Sequence, residues 1–498
     1  MNDYILTPKE MYDIDNYYIN NLSIPSGILM ENAAHSSANI IKTIVPVGEE
    51  LWILCGSGNN GGDGFAIARH LSEVYNIKVG WIGDTEKMSS ETYFNISLLE
   101  QLDISVVHIK DETLIPSIRN KYVIDAIFGI GANEDLKGLV VELLKVVNQI
   151  GNKFIAIDSP TGLNSLSGRV NDNTFVCSDT ITMFAAKCGM YFNDGPRVCG
   201  KIHVASLGVP SKKVINKLSV PKYLCEKKTI ANLIKRDENT HKYDLGNVVI
   251  IAGSKLYPGA GVLSANACIS SGAGIVHLIS EDYNSNLLPE IIPYKIECTE
   301  GQIKSDNIEH IKLLIDKADT IVFGCGIGDN INFKEIFEYF IDLNNKNIII
   351  DANGLDYIDT EKRYNKNIIL TPHLGEYSKL INKSKDIINN DRLASVCESA
   401  SKLNLNILLK GPCSIITNGE KSIINTSGNN GLSTAGSGDV LAGMLGAVLS
   451  KKDNLCENAA IVVHSHGLIA ENFAKDNLQS SLTASEIIKN IKKLGSKY

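Results

Sequence analysis

Two asparagines and an aspartate stand inside a glycine-dense stretch, GSGNNGGDGF (residues 56–65), between the apolar run LWILC and the helically spaced AIARHLSEV. Glycine at this density costs chain entropy, so some feature of the site must require backbone freedom. Gly56-x-Gly58-x-x-Gly61 has the form of a dinucleotide fingerprint, but the acidic residue expected after the second strand is missing, Asp84 being late and isolated. A pyrophosphate turn needs only helix N-terminal amides, so the extra oxygens of Asn59, Asn60 and Asp63 point to a bound cation or a polar substrate. Asp125 in VIDAIFGIGANED and Asp158 in IAIDSPTGLN each close an apolar run in front of a glycine-containing loop. Either alone could be a buried turn-capping aspartate; the three run ends together predict one shared pocket.

A second constellation lies near residue 436, where Ala435-Gly436-Ser437-Gly438-Asp439 precedes an apolar helix. Glycine amides at a helix N-terminus form an anion hole suited to a transferring phosphoryl group. Asp439 at that point can take a proton from an attacking hydroxyl, or it can simply cap the helix. There is no G-x-x-x-x-G-K-[ST], which excludes a P-loop. Lys410 in LLKGPCS ends an apolar run where it could meet a phosphate, and His464 and His466 are expected to be packed helix polar groups.

The elements that must position these residues follow from the apolar rhythm. LWILC, IKVGWIG, SVVHI, YVIDAIFGIG, KFIAIDSPTG, DTITMF and KIHVASLG alternate with helix-like segments, which predicts an α/β layer with a largely parallel sheet. Thr7, Pro8 and Glu10 form a capping-box start for a first helix, and GILMENAAHSSANIIKTI predicts a second. The rhythm weakens across the proline- and charge-rich stretch after Gly208, placing a junction near residues 211–222. It restarts with NVVIIAGS, GIVHLIS, TIVFGCGIG, NIIIDANG, NIILTPH, NILLKG and SIITNG, then small-residue helices. The expected organisation is therefore two α/β domains, residues 1–213 and 222–498, with ligands at the carboxyl ends of the strands. AIDSPTGLN resembles IIIDANGLD between the halves, as strand ends of any two doubly wound sheets do.

Composition narrows the class. The chain has 498 residues with 44% hydrophobic and 21% charged residues, ample for two cores. A formal charge of −8, with no Lys/Arg-rich block, argues against a nucleic-acid partner. Eleven cysteines are scattered singly without a C-x-x-C, as a reducing compartment permits. The first residues lack a basic and apolar leader, and no apolar run reaches bilayer-spanning length. A soluble, cytoplasmic protein is expected.

At the motif level, LMENAAHSSA, CGSGNNGGDGFAIARHL, DAIFGIG and AIDSPTGLN resemble the NAD(P)H-hydrate epimerase domain over roughly residues 1–210. The resemblance implies a Rossmann-like domain holding a hydrated nicotinamide dinucleotide (NADHX or NADPHX) and a potassium ion. It implies that Asn59, Asn60, Gly61, Gly62 and Asp63, with Gly129, Ile130, Gly131, Ala132, Asn133, Glu134 and Asp135, line the dinucleotide. Asn60, Asp125 and Thr161 become potassium ligands, and Asp158 the group at the hydrated ring.

The A-G-S-G-D loop resembles the anion hole of ribokinase-like enzymes, and TPHLGE falls where those kinases carry an Asn-x-x-Glu magnesium motif, with His373 in place of Asn. With HKYDLGNVVIIAGS, these loops resemble ADP/ATP-dependent NAD(P)H-hydrate dehydratases over roughly residues 222–495. The implied substrate contacts are Ala260, Gly326, His373 and Asp439; the implied nucleotide site is Lys410, Gly411, Pro412, Cys413, Ser414 and Gly438; Glu376 is a candidate for a magnesium-bound water. Both domains in one chain resemble the bifunctional NAD(P)H-hydrate repair family, implying ADP (ATP as the variant) as co-substrate and a homo-oligomer. A rival is a ribokinase-type kinase of a vitamin precursor with a regulatory N-terminal half.

Overall fold

The computed structural model describes residues 4–116, 118–131, 136–148, 151–218, 222–225, 228–234, 238–329, 331–450 and 453–495. The chain divides into two compact units, the second beginning at Lys222.

In the first unit the alternation of apolar residues forms a seven-stranded sheet. Its order is Val106–His108, Asn76–Trp81, Glu50–Cys55, Tyr122–Ala126, Lys153–Ile157, Cys177–Met183, Lys201–Ala205, and every pair is parallel. Both faces are covered. Leu51, Ile53 and Cys55 pack with the helices Ser26–Ile44 and Asn59–Leu71, while Leu54 packs with Val123, Phe154 and the helix Leu139–Asn148 on the opposite side. That is the two-sided burial a parallel sheet needs. The order reverses between Glu50–Cys55 and Tyr122–Ala126, the topological switch point at which such sheets open a crevice. The helix Pro8–Asn16 begins with the expected capping box of Thr7 and Glu10, and Ser211–Leu218 joins the same core through Val214 and Ile215.

The second unit holds a ten-stranded sheet. Parallel strands Asn247–Ile251, Ile275–Ser280, Thr320–Phe323, Asn347–Ile350, Ile368–Leu370 and Asn406–Leu409 form its centre. Ser414–Thr417 then runs antiparallel to Asn406–Leu409 and pairs as a hairpin with Ser422–Asn425. The edge strands Lys222–Leu224 and Ile292–Lys295 lie outside the expected set. Both are short and partly polar, so they carry little periodicity. The helices Pro258–Ser270 and Ser437–Val448 cross so closely that a Cβ on Gly443 would fall 2.0 Å from the Ser264 carbonyl oxygen. Small residues there serve packing.

Candidate functional sites

The glycine stretch runs into a helix rather than forming an extended turn. The helix begins at Asn59, so Asn59, Asn60 and Asp63 occupy its first turns. Gly56, Gly58, Gly61, Gly62 and Gly64 all lack the left-handed conformation. Glycine is needed here for close approach. A Cβ on Gly61 would lie 1.8 Å from the Gly56 carbonyl oxygen, one on Gly56 2.1 Å from the Ile127 carbonyl, and one on Gly64 2.6 Å from Ala126 Cβ. The helix N-terminus is thereby pressed against the ends of Glu50–Cys55 and Tyr122–Ala126, with its amides turned to the crevice.

A cleft of about 540 Å³ opens there, lined among others by Asn59, Asn60, Asp63, Gly129, Ile130, Gly131 and Asp158. Asp158 adopts φ +64°, a left-handed conformation that a non-glycine residue holds only when its surroundings enforce it. Its Oδ2 accepts from the Ile130 amide at 3.1 Å, and its Oδ1 from Lys187 Nζ at 2.6 Å. A Cβ on Gly129 would fall 2.7 Å from Asp158 Oδ2, which is why this loop passes as glycine. Lys187 is fully buried and also donates to Thr182 Oγ1 at 2.6 Å and to the Met183 carbonyl at 3.1 Å. Burial opposes ionisation of Asp158, but the Lys187 charge and hydrogen bond overcome it and hold the carboxyl below its ordinary range. Asp63 is pushed far up by burial and then by the charges of Asp158 and Asp15. Asp15 is raised to about 6, chiefly by burial, with Lys187 opposing. At neutral pH the cleft therefore combines the Asp158 carboxylate with a protonated Asp63, while Asp15, at about 6, is mostly ionised.

Asp125 ties the neighbouring loops together. It accepts from the Thr161 amide at 2.7 Å, the Thr161 hydroxyl at 2.7 Å and the Ile127 amide at 3.3 Å. Even so, burial raises it to about 6. Asn60 has both side-chain polar atoms buried without a partner. An orphaned amide oxygen in this crevice, together with a buried carboxylate that burial keeps raised, suits a monovalent cation with oxygen ligands. Ala132, Asn133, Glu134 and Asp135 lie outside the described residues.

In the second unit Asp439 is in the first turn of Ser437–Val448 rather than ahead of it, and the cap is Gly436 at φ +84°, with no side-chain cap bond. The capping alternative for Asp439 therefore falls away. Its carboxyl is raised to about 7 by burial and then by the charge of Asp351. Asp351 is buried at the end of Asn347–Ile350 and accepts from Lys410 Nζ at 2.6 Å and from Thr371 Oγ1 at 2.8 Å. Lys410 is thus paired within the site and is no surface lysine. His373 caps the helix Leu374–Leu380, its Nδ1 accepting from the Gly375 and Glu376 amides, while Glu376 accepts from the His373 amide at 2.8 Å. A bridge pairs His373 with Lys410. Gly326, at φ +62°, lies against Ala260, a Cβ there falling 2.5 Å from the alanine's.

The structure thus joins Asp439, Gly438 and Lys410 to one another, His373 and Glu376 to Lys410, and Ala260 to Gly326. Gly411, Pro412, Cys413 and Ser414 form a separate turn in which Ser414 Oγ donates to the Gly411 carbonyl, with Arg392 beside Gly411. Lys187, Asp15, Asp351 and Arg392 escaped the sequence reading. Only Asp351 had a signal, since it closes NIII as Asp158 closes KFIAI. His464 and His466 are buried in Leu455–Asp476, as expected.

Among the described residues no helix is long and apolar enough to cross a membrane. Two family models match the chain: "YjeF-related protein N-terminus" over residues 26–189 and "NAD(P)H-hydrate dehydratase" over residues 248–493. A protein of Dictyoglomus turgidum, named bifunctional NAD(P)H-hydrate repair enzyme, is 30% identical over 97% of both chains. One of the same name from Methanothermobacter thermautotrophicus is 30% identical over 98% of this chain and 94% of its own. The crystal structure of ADP/ATP-dependent NAD(P)H-hydrate dehydratase from Bacillus subtilis, with ATP and Mg²⁺, covers 54% of this chain and 95% of its own, at 23% identity and TM-score 0.47.

Proposed function

The chain belongs to the family of bifunctional NAD(P)H-hydrate repair enzymes, and from that premise we propose that it restores hydrated nicotinamide cofactors in two steps. The first domain interconverts the R and S epimers of NADHX and NADPHX; the second dehydrates the S epimer, converting ADP to AMP and phosphate.

In the hydrate, a hydroxyl sits on a ring carbon next to nitrogen. Epimerisation removes it and returns it to the other face, which calls for one group that gives a proton and one that takes it. Asp158, kept anionic and immobile by Lys187, is the acceptor; Asp63, kept protonated, is the donor. The dinucleotide lies along Asn59–Asp63 and Gly129–Asp135. Asn60, Asp125 and Thr161 would hold potassium, which when bound offsets the buried Asp125 charge and supplies a counter-charge for phosphate.

In the second domain, hydroxide is a poor leaving group and phosphate a good one. Asp439 takes the proton of the S-hydrate hydroxyl as it attacks the terminal phosphoryl of ADP, and the amides of Gly436–Gly438 stabilise the transferred charge. The ring nitrogen's lone pair then expels phosphate, the neighbouring ring carbon releases a proton to solvent, and NADH or NADPH results. Ala260, Gly326 and His373 contact the hydrate, and Lys410 with Gly411–Ser414 and Gly438 holds the nucleotide. Glu376, partly exposed, fits a magnesium ion that keeps its waters; such an ion shields the phosphates when bound.

The observation that carries the proposal is Asp439: a carboxyl held at about 7, in a glycine-led first turn, with no capping duty. Its test uses an equilibrated NADHX mixture, Mg²⁺, K⁺ and ADP, following NADH absorbance. Complete conversion, faster than spontaneous epimer exchange, supports both activities. A stall at the share of the S epimer removes the epimerase. No NADH with ADP or ATP, and a stable phosphoester formed from a vitamin precursor instead, would favour the kinase.

A further inference from the structure

Asp351 has been assigned no task, yet Lys410, Thr371, Cys325 and Asp439 all act on it. It ends a central strand, and its own carboxylate is buried with 2% exposure. One oxygen takes Lys410 Nζ at 2.6 Å and the Thr371 hydroxyl at 2.8 Å. The other accepts from Cys325 Sγ at 3.7 Å. Cys325, Asp351 and Asp439 present ligand-type atoms within 4.8 Å of one another. The helix N-terminus sits directly over this group, since a Cβ on Gly438 would lie 3.5 Å from Lys410 Nζ and 3.9 Å from Asp351 Oδ2.

We propose that Asp351 is a positioning residue of the second site: it holds the Lys410 ammonium beneath the glycine-led helix start and, across the Cys325 thiol, sets how tightly Asp439 holds its proton. The inference rests on the reading of Asp439 as the base of that site. Lys410 is the cation on the opposite side of the balance. Glu376 acts on Lys410 from its own helix, and His466 faces Ser437 from the helix Leu455–Asp476, where burial holds it neutral with a pKa near 4. Among the described residues, Asp351 and Lys410 are the charges that act on Asp439.

Two opposite shifts follow. Removing the Asp351 charge relieves repulsion on ionised Asp439, whereas removing the Lys410 charge takes away its counter-ion. A carboxylate pair about 5 Å apart at an effective dielectric constant of about 20 interacts strongly enough to move a titration by about two pH units.

The experiment records kcat/KM for S-NADHX with ADP from pH 5 to 9, and the KM for ADP, in the full chain and in its Asp351→Asn, Asp351→Glu and Lys410→Met variants. In Asp351→Asn the acid limb is expected to move down by about two pH units, with the KM for ADP up by about tenfold as Lys410 loses its anchor. In Lys410→Met the limb moves up, and in Asp351→Glu it stays nearer the wild-type position than in Asp351→Asn. A role confined to folding would lower activity without moving either limb. Limbs that stay together in all variants of a turning-over enzyme overturn the assignment of Asp351 alone. Absence of turnover in the wild-type chain overturns the reading of the site, and this inference with it. Should Asp351→Asn fail to fold, an unmoved limb in Lys410→Met is enough to refute the proposal.

Discussion

Replacing Lys187 by Met tests the electrostatics of the first site most directly. In the native protein the Lys187 ammonium is wholly enclosed and touches Asp158 at 2.6 Å. Methionine keeps the volume of the stem but leaves the largely buried Asp158 carboxylate without its counter-charge. Unit charges about 4 Å apart attract by about 4 kcal/mol at an effective dielectric constant of about 20. Breaking a buried pair from one side costs about 3–5 kcal/mol, because the remaining charge is uncompensated. We expect the first domain to lose that much at pH 7.5. The pH dependence has a definite sign. Asp158 is held below its ordinary range in the native protein, so the pair's contribution is present above the unfolded carboxyl value and lost as pH falls through the folded one. In the variant, burial, opposed only by the remaining hydrogen bonds such as that from the Ile130 amide, favours the protonated carboxyl, so the stability gap narrows from pH 7.5 to pH 4.5. The assay is tryptophan fluorescence, excited beyond tyrosine absorption, in urea. The chain's 2 tryptophans, Trp52 and Trp81, both lie in the first sheet, so the signal reports that domain alone. Epimer conversion should be lost in parallel. Adding Asp158→Asn to Lys187→Met removes the stranded charge and should recover most of the stability without recovering epimerisation. A single variant within about 1 kcal/mol of wild type at pH 7.5, or a gap that widens on acidification, would refute the reasoning.

Three further outcomes are expected. Asp439→Asn should bind ADP in calorimetry with little change and lower kcat by about 10²–10⁴, and the wild-type rate should rise with pH through about 7, because the base acts only when ionised. Gly61→Ala places a Cβ 1.8 Å from the Gly56 carbonyl oxygen; the first domain should lose about 3 kcal/mol by tryptophan fluorescence, while dehydration of purified S epimer persists. Potassium should raise the Tm of the first domain in a concentration-dependent way by linkage, and Asn60→Ala should abolish that rise while leaving the Tm in sodium nearly unchanged.

The sheets were legible because a strand buried on both faces must be a short apolar run whatever surrounds it. LWILC, with glycines after it, and YVIDA, KFIAI and NIII, each with an aspartate at its end, therefore announced where each sheet would present side chains. The glycines at 56–64 were also conspicuous, but their cause was misjudged. Backbone freedom is a local property that a sequence can express, whereas a 1.8 Å approach to another segment's carbonyl belongs to the packing.

By itself, then, the sequence determined two α/β layers and pointed to the strand ends and to Asp125, Asp158 and Asp439 as candidate site residues. Tertiary structure alone decided their charge states. Lys187 reaches Asp158 from 29 residues away and Lys410 reaches Asp351 from 59. A carboxyl's proton affinity depends on burial and on which charges fold against it, and neither quantity exists until distant segments have met.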